Sequence, residues 1–414
     1  MLLSDATQIR MADQIMIEEH AFAGILLMET AGRKSTEFIL QHFPNQNLYL
    51  VLAGPGNNGG DGLVIARYLK LAGKNVRILM SHPAEKYKGD AKINFDALKG
   101  ANVPMGEWGK VEIPEIKPGD AAVLLIDALL GTGVKSEVRG TIADMLTHFR
   151  PLDLPCIAID LPSGHFADTG AAPPQSGLRA QHTLTFQLPK IAHYVYPAAE
   201  SCGEVHAVDI GIWPQVVRAL GIRRHLLDQA TCAAFLAARP TEGHKGTFGH
   251  VLSIGGSARY AGAIALTGHA ALHIGAGLSS VFAPEATRTA LFETGPEVML
   301  AATSDSSLQP QDVAACRAFM DERGIQTLAI GPGMESGPEQ ASFLRALLLG
   351  MRAPAVFDAD ALNLIAQHPK FLDLLPNGSI LTPHPGEMGR LAPEGPYCKT
   401  HRLEAAEAFA QSSG

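Results

Sequence analysis

Short apolar runs alternate with longer amphipathic runs along most of the chain. In the first half the apolar runs cover residues 48–53, 75–80, 121–126 and 156–159, and a further strand-like run covers residues 204–210. Stretches with apolar residues at helical spacing lie between them and cover residues 62–72, 86–99 and 138–148. A short apolar run bounded by Gly or Pro indicates a buried strand, and the longer period indicates a helix. This alternation predicts a parallel sheet with helices on both faces and ligands at the carboxyl ends of the strands.

Two more helices are predicted ahead of this sheet, within residues 9–40. Ile9, Met16 and Ile17 form one apolar stripe, and a second stripe runs from Ile25 to Ile39. Methionines in such stripes are expected to fill the core rather than to bind a cofactor.

The same alternation starts again after residue 244. Strands are predicted at 250–254, 278–282, 327–330, 355–357 and 379–381, and helices at 262–275 and 337–350. Residues 219–244 have a mixed composition with one short predicted helix at 231–238, which indicates a linker. Because a chain of 414 residues is long for one domain, we predict domains over residues 1–218 and 245–414.

A glycine-rich stretch, GPGNNGGDG, follows the first predicted strand at residues 54–62. Glycine disfavours the interior of a helix, so we predict a tight turn here. Such a turn between a strand and a helix exposes backbone N–H groups at the start of the helix, where a phosphate binds favourably.

Three oxygen-bearing side chains lie in this stretch, at Asn57, Asn58 and Asp61. Amide and carboxylate oxygens suit a hard cation or the hydroxyls of a sugar. The alternative is that these residues only form the turn and cap the next helix. The glycine spacing also matches the dinucleotide fingerprint, but no acidic residue follows the second strand after Met80, which disfavours an NAD-dependent dehydrogenase.

Polar residues follow two further strands. Asp127 ends the third strand and precedes a second glycine turn, and Asp160 ends the fourth, shortly before Ser163. Because the carboxyl ends of parallel strands share one edge, we expect these side chains to share a pocket with the polar residues of the glycine-rich stretch. A nucleotide-binding module without catalysis is the alternative, although it would need no acid at a strand end. A serine hydrolase is disfavoured because LPSGH lacks the G-x-S-x-G sequence.

Composition narrows these alternatives. Apolar residues make up 46% of the chain and charged residues 18%, which is typical of a globular protein. The formal net charge of −8 disfavours nucleic acid and anionic membranes as partners. No leader pattern or membrane-length apolar run is present, so we expect a cytoplasmic protein. The scattered cysteines indicate reduced thiols and no zinc spacing, at Cys156, Cys202, Cys232, Cys316 and Cys398.

Four motifs in the first half resemble those of one enzyme family. They are IRMADQIMIEEHAFAGILLMETAGR (9–33), GPGNNGGDG (54–62), IDALLGTG (126–133) and IDLPSG (159–164). Together, and in this order, they are similar to the N-terminal domain of NAD(P)H-hydrate epimerases.

This resemblance implies the ligands and the residues that bind them. Potassium would bind Asn58, Asp127 and Ser163, and a homo-oligomer is expected. Asp160 would be the acid/base group that inverts C6 of the hydrated nicotinamide ring, with burial raising its pKa enough to serve. The damaged nucleotide, NAD(P)HX, would contact Asn57, Asn58, Gly59, Gly60, Asp61, Gly131, Thr132, Gly133, Val134, Lys135, Ser136, Glu137 and Asp160.

The second half resembles another family. Its motifs are KGTFGHVLSIGGS (245–257), AGAIALTGHAALHIGAGL (261–278), GPG (331–333), FDADALNL (357–364) and LTPHPGEMGRL (381–391). They look like the ADP- or ATP-dependent NAD(P)H-hydrate dehydratase, which has a ribokinase-like fold. By this resemblance Ala263, Gly333 and His384 would line a second NAD(P)HX site, and ADP or ATP would bind with Mg²⁺.

The residues themselves suggest two further features in the second half. Asp358 and Asp360 follow a predicted strand and are candidates for a chemical role. His269 and His273 lie four residues apart on one predicted helix, a spacing that can bind metal. Because no third ligand is recognisable, we expect these histidines to be core or solvated residues.

The chain departs from the dehydratase pattern at its end. In that family the sheet continues past the helix matched by residues 403–410 to a Gly-x-Gly-Asp turn that holds the adenine nucleotide. Residues 245–414 contain no such turn, so we expect this chain not to dehydrate the hydrate. The expected fold class is α/β with two three-layer domains, an N-terminal Rossmann-like parallel sheet and a C-terminal incomplete ribokinase-like domain.

Overall fold

The computed structural model describes residues 1–113, 115–171, 177–236, 238–303, 306–325, 327–393 and 401–414. The chain forms two compact units, an N-terminal unit of Met1–Leu236 and a C-terminal unit of Ala237–Gly414. The division falls within residues 219–244, the segment in which the sequence predicts a linker.

The N-terminal unit is built on a parallel sheet of seven strands. The strands are β1 Leu48–Ala53, β2 Val76–Met80, β3 Met105–Glu107, β4 Val123–Ala128, β5 Cys156–Ile159, β6 His182–Phe186 and β7 Glu204–Val208. The helices are α1 Ala6–Glu18, α2 Gly24–His42, α3 Asn57–Leu71, α4 Gly89–Lys99, α5 Thr141–Phe149, α6 Ala199–Cys202, α7 Pro214–Ala219 and α8 Gln229–Phe235. Alternate residues of β1 belong to separate apolar clusters, Tyr49 with α2 and α3 and Leu50 with α5. This unit therefore has the predicted three layers.

The strand order is β3-β2-β1-β4-β5-β6-β7, and all pairs are parallel. The chain moves outward from β1 through β2 to β3 and then returns to place β4 on the other side of β1. The loops after β1 and β4 consequently leave in opposite directions and open a crevice at their carboxyl ends, where doubly wound sheets bind ligands.

The sequence predicts a tight turn over the glycine-rich stretch, and this prediction is wrong. The stretch contains the first turn of helix α3. This helix begins at Asn57 rather than at the predicted residue 62. Its glycines allow close packing: a Cβ on Gly59 would lie 1.8 Å from the carbonyl oxygen of Gly54, and one on Gly62 would lie 2.6 Å from the Cβ of Ala128. The low helix propensity of glycine is overridden because no side chain fits between α3 and the sheet.

The C-terminal unit is a second parallel sheet, with strand order β10-β9-β8-β11-β12-β13. Its strands are β8 His250–Ile254, β9 Leu278–Pro284, β10 Met299–Thr303, β11 Thr327–Ile330, β12 Ala355–Phe357 and β13 Ile380–Leu381. Its helices are α9 Ala261–Ile274, α10 Arg288–Thr294, α11 Asp312–Arg323, α12 Pro338–Leu348, α13 Asp360–Gln367, α14 Pro385–Leu391 and α15 Arg402–Ser413. Apolar clusters cover both faces of β9, through Phe282 on one side and Val281 on the other. The predicted α/β class is confirmed for both units.

Three strands, β3, β6 and β10, lie outside the sequence prediction. Among the described helices none is both long enough and apolar enough to cross a membrane. Cys156, Cys202 and Cys316 are buried with free thiols, and Cys232 is exposed with a free thiol. Cys398 lies outside the described residues.

Candidate active site

A cavity of about 530 Å³ opens at the carboxyl ends of β1 and β4. Helices α1 and α2, the start of α3, the loop after β4 and the residues after β5 and β6 form its walls. No side chain caps the start of α3 at Gly56, and Gly56 and Asn57 line the cavity. The cavity is therefore bordered by backbone N–H groups that favour an anion. Its polar side chains are Arg10, Asp13, Asn57, Asn58, Asp61, Asp90, Thr132, Asp160 and Lys190.

The predicted nucleotide-binding residues fall into three groups according to whether they line the cavity, pack against other segments or lie on a neighbouring loop. Seven of them line the β1/β4 cavity: Asn57, Asn58, Asp61, Gly131, Thr132, Gly133 and Asp160. Gly59 and Gly60 instead face Gly54 and Met28, where they permit close packing. The remaining four lie outside the lining, on the loop that follows Gly133: Val134, Lys135, Ser136 and Glu137.

Asp160 is held by a buried lysine. The Lys190 side chain is fully buried, and its Nζ donates to Asp160 Oδ1 at 2.5 Å and to Thr185 Oγ1 at 2.8 Å. Thr185 Oγ1 also lies 3.2 Å from the Asp160 carboxylate. The backbone φ of Asp160 is 65°, a left-handed conformation that is uncommon for a residue other than glycine and is often found at functional sites.

His193 positions both members of this pair. Its Nδ1 accepts a hydrogen bond from the Lys190 backbone N–H at 2.9 Å, so its Nε2 carries the proton and donates to the Asp160 carbonyl oxygen at 2.8 Å. Burial, together with the Lys190 charge, lowers the pKa of His193 to about 4. The imidazole is therefore neutral, and its two hydrogen bonds hold the backbones of Lys190 and Asp160 at a fixed separation.

The expected rise in the pKa of Asp160 is wrong. Burial acts to raise this pKa, but the charge and hydrogen bond of Lys190 outweigh it, and the net pKa is lowered. Asp160 is consequently an ionised carboxylate at neutral pH, suited to accept a proton rather than to donate one.

Two other carboxyl groups in the β1/β4 cavity show the opposite behaviour. Burial raises the pKa of Asp13 to about 6, and the negative charge of Asp160 adds to this against the opposing Lys190 charge. Burial also raises the pKa of Asp61 well above its usual value, assisted by Asp160 and Asp13. One cavity thus combines a carboxylate of lowered pKa with two carboxyl groups of raised pKa, the separation on which general acid and base catalysis depends.

The predicted potassium ligands lie around the loop after β4. Asp127 is fully buried and accepts from the Ser163 hydroxyl at 2.6 Å and the Ser163 backbone N–H at 2.8 Å. The Ser163 hydroxyl in turn accepts from the Leu130 N–H at 2.9 Å. A Cβ on the next residue, Gly131, would lie 3.4 Å from the Asn58 side chain. The loop therefore joins Ser163 and Asp127 to Asn58.

The side-chain amide of Asn58 is buried without a hydrogen-bond partner among the described residues, and a cation could bind its oxygen. Its amide oxygen and nitrogen are buried, and neither has a hydrogen-bond partner among the described residues. Leaving such a group buried and unpaired is costly, so an ion or ligand is expected to complete its shell. The amide oxygen of Asn58, the carboxylate of Asp127 and the hydroxyl of Ser163 are of the ligand types that suit a hard cation. These residues fit the ion that the resemblance implies.

In the C-terminal unit, two of the three predicted residues are neighbours. A Cβ on Gly333 would lie 3.4 Å from the Cβ of Ala263, and Gly333 has a φ of 68°. His384 follows β13, two strands away from the β11 end that precedes Gly333. Its Nδ1 accepts from the Gly386 N–H at 2.9 Å, so His384 caps α14.

The aspartates that follow β12 have structural partners. Asp360 Oδ2 accepts from the Glu335 N–H at 2.9 Å, which ties the turn after β11 to the start of α13. Asp358 Oδ1 accepts from the Ala359 N–H at 2.8 Å. Both therefore stabilise the carboxyl edge of the second sheet.

Comparisons with known proteins identify the family. A family model described as YjeF-related protein N-terminus matches residues 24–192, and one described as NAD(P)H-hydrate dehydratase matches residues 251–414. The bifunctional NAD(P)H-hydrate repair enzyme of Moorella thermoacetica is 34% identical over 424 residues, covering 99% of this chain and 79% of the relative. The chain belongs to the bifunctional NAD(P)H-hydrate repair enzymes. The Salinibacter ruber enzyme of that name is 34% identical over 419 residues, covering 97% of this chain and 77% of its own length.

Two solved structures align with parts of this chain. A yeast protein covers 55% of this chain and 97% of its own length at 21% identity, with a TM-score of 0.45. The ADP/ATP-dependent NAD(P)H-hydrate dehydratase of Bacillus subtilis, crystallised with ATP and Mg²⁺, covers 45% of this chain and 61% of its own length. It is 26% identical, with a TM-score of 0.34.

Sequence reasoning missed three residues of the candidate site: Asp13, Lys190 and His193. Lys190 and His193 follow β6, whose HTLTF sequence alternates polar and apolar residues and is followed by a proline, a recognisable strand signal. Asp13 interrupts the helical stripe between Ile9 and Ile17. Asp13 and Lys190 line the cavity, whereas His193 lies behind them and contacts the backbone of Lys190 and Asp160. A charge at a core-facing position of a helix was the available signal.

Proposed function

We propose that the N-terminal unit interconverts the R and S forms of NAD(P)HX in the β1/β4 cavity, and that the C-terminal unit is of the type that dehydrates the S form at the expense of ADP. The observation that carries the epimerase assignment is the ionised Asp160, held by buried Lys190 and His193, in a cavity that also contains Asp13 and Asp61, whose pKa values burial raises. A binding module would need no such arrangement of proton donors and acceptors.

Different walls of the cavity suit the phosphates and the nicotinamide ring of a nucleotide substrate. The start of α3 offers backbone N–H groups and a positive dipole end to the phosphates. The carboxyl cluster lies with the apolar side chains of Leu27, Phe186 and Ile210 in the same cavity. A ring can pack on these apolar groups while the carboxyl groups face its hydroxyl.

The chain's carboxyl groups have complementary roles in the reaction. Asp13 donates a proton to the C6 hydroxyl while the C6–O bond breaks, and the lone pair of the ring nitrogen forms a double bond to C6. Water then adds to the other face of C6 and loses a proton to the Asp160 carboxylate. A proton returns from Asp160 to Asp13 through solvent, so the cycle consumes nothing. Asp61 stays protonated and donates a hydrogen bond.

Potassium is proposed to bind between Asn58, Asp127 and Ser163. The buried, unpartnered amide of Asn58 supports this assignment. When bound, the ion supplies a positive charge that holds the loop after β4 beside the start of α3. The homo-oligomeric state and the cytoplasmic location stay predictions from the sequence.

The decisive experiment uses the 414-residue chain and follows separated R and S hydrates by chromatography. We expect the wild type to interconvert them, faster in potassium than in an equal concentration of a large organic cation. Asp160→Asn should lower the rate by a factor of about 10² to 10⁴, the usual contribution of a general base.

The matched control is Asp96→Asn, because Asp96 lies in the N-terminal unit, outside the cavity lining, and pairs with Lys92 and Lys99 at the surface of α4. This control should leave the rate unchanged. A wild type that binds the hydrates without interconverting them would support the rival binding module. An Asp160→Asn variant with full activity would show that another group accepts the proton.

A further inference from the structure

A second cluster of ligand-type side chains lies at the opposite end of the first sheet. His182 begins β6, and Glu204 begins β7, the edge strand. The two residues are directly paired across the strands, and His206 lies two positions further along β7. All three side chains therefore project from one face of the sheet, at the amino-terminal ends of its strands. The β1/β4 cavity lies at the carboxyl ends.

The ligand atoms of this cluster are close together. His182 Nδ1 lies 3.0 Å from His206 Nε2. Glu204 Oε2 lies 3.7 Å from His182 Nδ1, and Glu204 Oε1 lies 3.8 Å from His206 Nε2. One ligand atom from each side chain thus faces a common centre, and all of them lie within 4.8 Å of one another.

These distances suit one tetrahedral ion. With metal–ligand bonds of about 2.0–2.1 Å, neighbouring ligands of zinc lie about 3.3–3.4 Å apart. The nitrogen–nitrogen distance is slightly shorter than this and the two nitrogen–oxygen distances slightly longer. A small shift of the imidazoles and a rotation of the exposed Glu204 carboxylate would bring all three ligands to bonding distance.

The surrounding side chains restrict the imidazoles. The Phe38 ring of α2 lies 4.6 Å from the His206 ring and 5.4 Å from the His182 ring, measured between centroids. Both histidines are half-buried, whereas the Glu204 side chain is 70% exposed. The cluster is therefore packed on its inner side and open on its outer side, where water can take the remaining coordination position.

We propose that His182, Glu204 and His206 form a binding site for one divalent ion of the zinc class, at the amino-terminal ends of β6 and β7. Two imidazoles and a carboxylate are the ligands that Zn²⁺ and Co²⁺ accept, with water as the fourth. Because the ligands come from both strands, the ion fastens the edge strand β7 to β6. Its role is structural and separate from epimerisation.

The test uses the full-length chain, treated with a chelator and returned to a potassium buffer. Titration with Co²⁺ should give the visible absorption of a tetrahedral ion, saturating at one ion per chain, and Zn²⁺ should displace it. Zn²⁺ should also raise the midpoint of thermal unfolding, because it binds the folded chain. Epimerisation should be unaffected.

Two variants and one control complete the design. His206→Gln and Glu204→Gln should each weaken Co²⁺ binding at least about tenfold, since even the loss of a supporting residue costs this much. Glu204→Gln changes an exposed side chain, so it also serves if His206→Gln fails to fold. The control, His273→Gln, removes an exposed histidine of α9. No binding at micromolar Co²⁺, or binding unchanged in Glu204→Gln, would overturn the proposal.

Discussion

Lys190 determines which carboxyl group of the β1/β4 cavity is ionised. It is fully buried, and its ammonium contacts Asp160 directly. A buried lysine is costly unless it is paired, so the pair holds a charged carboxylate in place. Asp13 and Asp61 lack such a contact among the described hydrogen bonds, and burial drives both toward the neutral form. The contact with Lys190 thus makes Asp160 the base, while the carboxyl groups without this contact, Asp13 and Asp61, are suited to act as acids.

Asp13→Asn should slow epimerisation and stabilise the fold. In the wild type, the rate should fall as the pH rises through about 6, the pKa of Asp13, because the donor form is lost. The same raised pKa means that the folded chain binds this proton more tightly than the unfolded chain. Stability from Asp13 is therefore complete below the unfolded pKa of 3.8 and is lost as the pH rises through about 6.

The variant has no charge to bury, so at pH 7.5 it should be more stable than the wild type by about 2 kcal/mol. Urea denaturation at pH 5 and pH 7.5 measures the difference in stability between the variant and the wild type. The epimerisation rate of both is measured over the same pH range. Asp96→Asn should match the wild type in activity. If Asp13→Asn keeps the wild-type rate profile, Asp13 is not the proton donor.

At the scale of elements, the start of α3 is organised by close packing. Gly54 and Gly59 bring the loop after β1 against both the helix and the loop after β4. A Cβ on Gly54 would lie 1.8 Å from the Leu129 carbonyl oxygen. Contact with backbone leaves no flexible side chain to move aside, so glycine is required at these positions. The same contacts place the N–H groups of α3 on the cavity.

Gly59→Ala and Gly56→Ala form a matched pair. Gly59→Ala should destabilise the N-terminal unit by about 3 kcal/mol or more, because its Cβ meets the Gly54 backbone. Gly56→Ala should change stability by less than about 1 kcal/mol, since no atom lies within 4 Å of its Cβ and its φ is −92°. Thermal unfolding measures both. Equal effects would show that packing is not the reason for glycine here.

At the scale of the molecule, the proposed epimerase site belongs entirely to the N-terminal unit. All lining residues of the β1/β4 cavity fall between Ile9 and Ile212. The unit also has its own core on both faces of its sheet. A unit with a complete core and a complete site meets the physical requirements for independent folding.

A shortened chain of residues 1–236 should therefore unfold cooperatively and interconvert the hydrates at a rate close to that of the full chain. Circular dichroism during heating and the chromatographic assay measure the two properties. Asp160→Asn in the shortened chain is the control for background interconversion. A folded but inactive shortened chain would show that the site needs residues beyond 236.

The sequence by itself determined the α/β class, the two repeated βα series and the strand ends that carry Asn58, Asp127 and Asp160. These features are local, since helix and strand periods, glycine turns and motifs are each contained in a short segment. The sequence also predicted a tight turn at Asn57 where the structure has the start of α3. The low helix propensity of glycine is overridden there by close contact between segments that are distant in the chain.

Only the tertiary structure decided which residues meet in the β1/β4 cavity and how they are charged. Asp13 and Lys190 are far apart in the chain, and β6, which leads to Lys190, was not predicted. A carboxyl pKa depends on burial and on neighbouring charges, which arise only when α1, β5 and β6 come together. The reversal of the expected pKa of Asp160 follows from that one contact with Lys190.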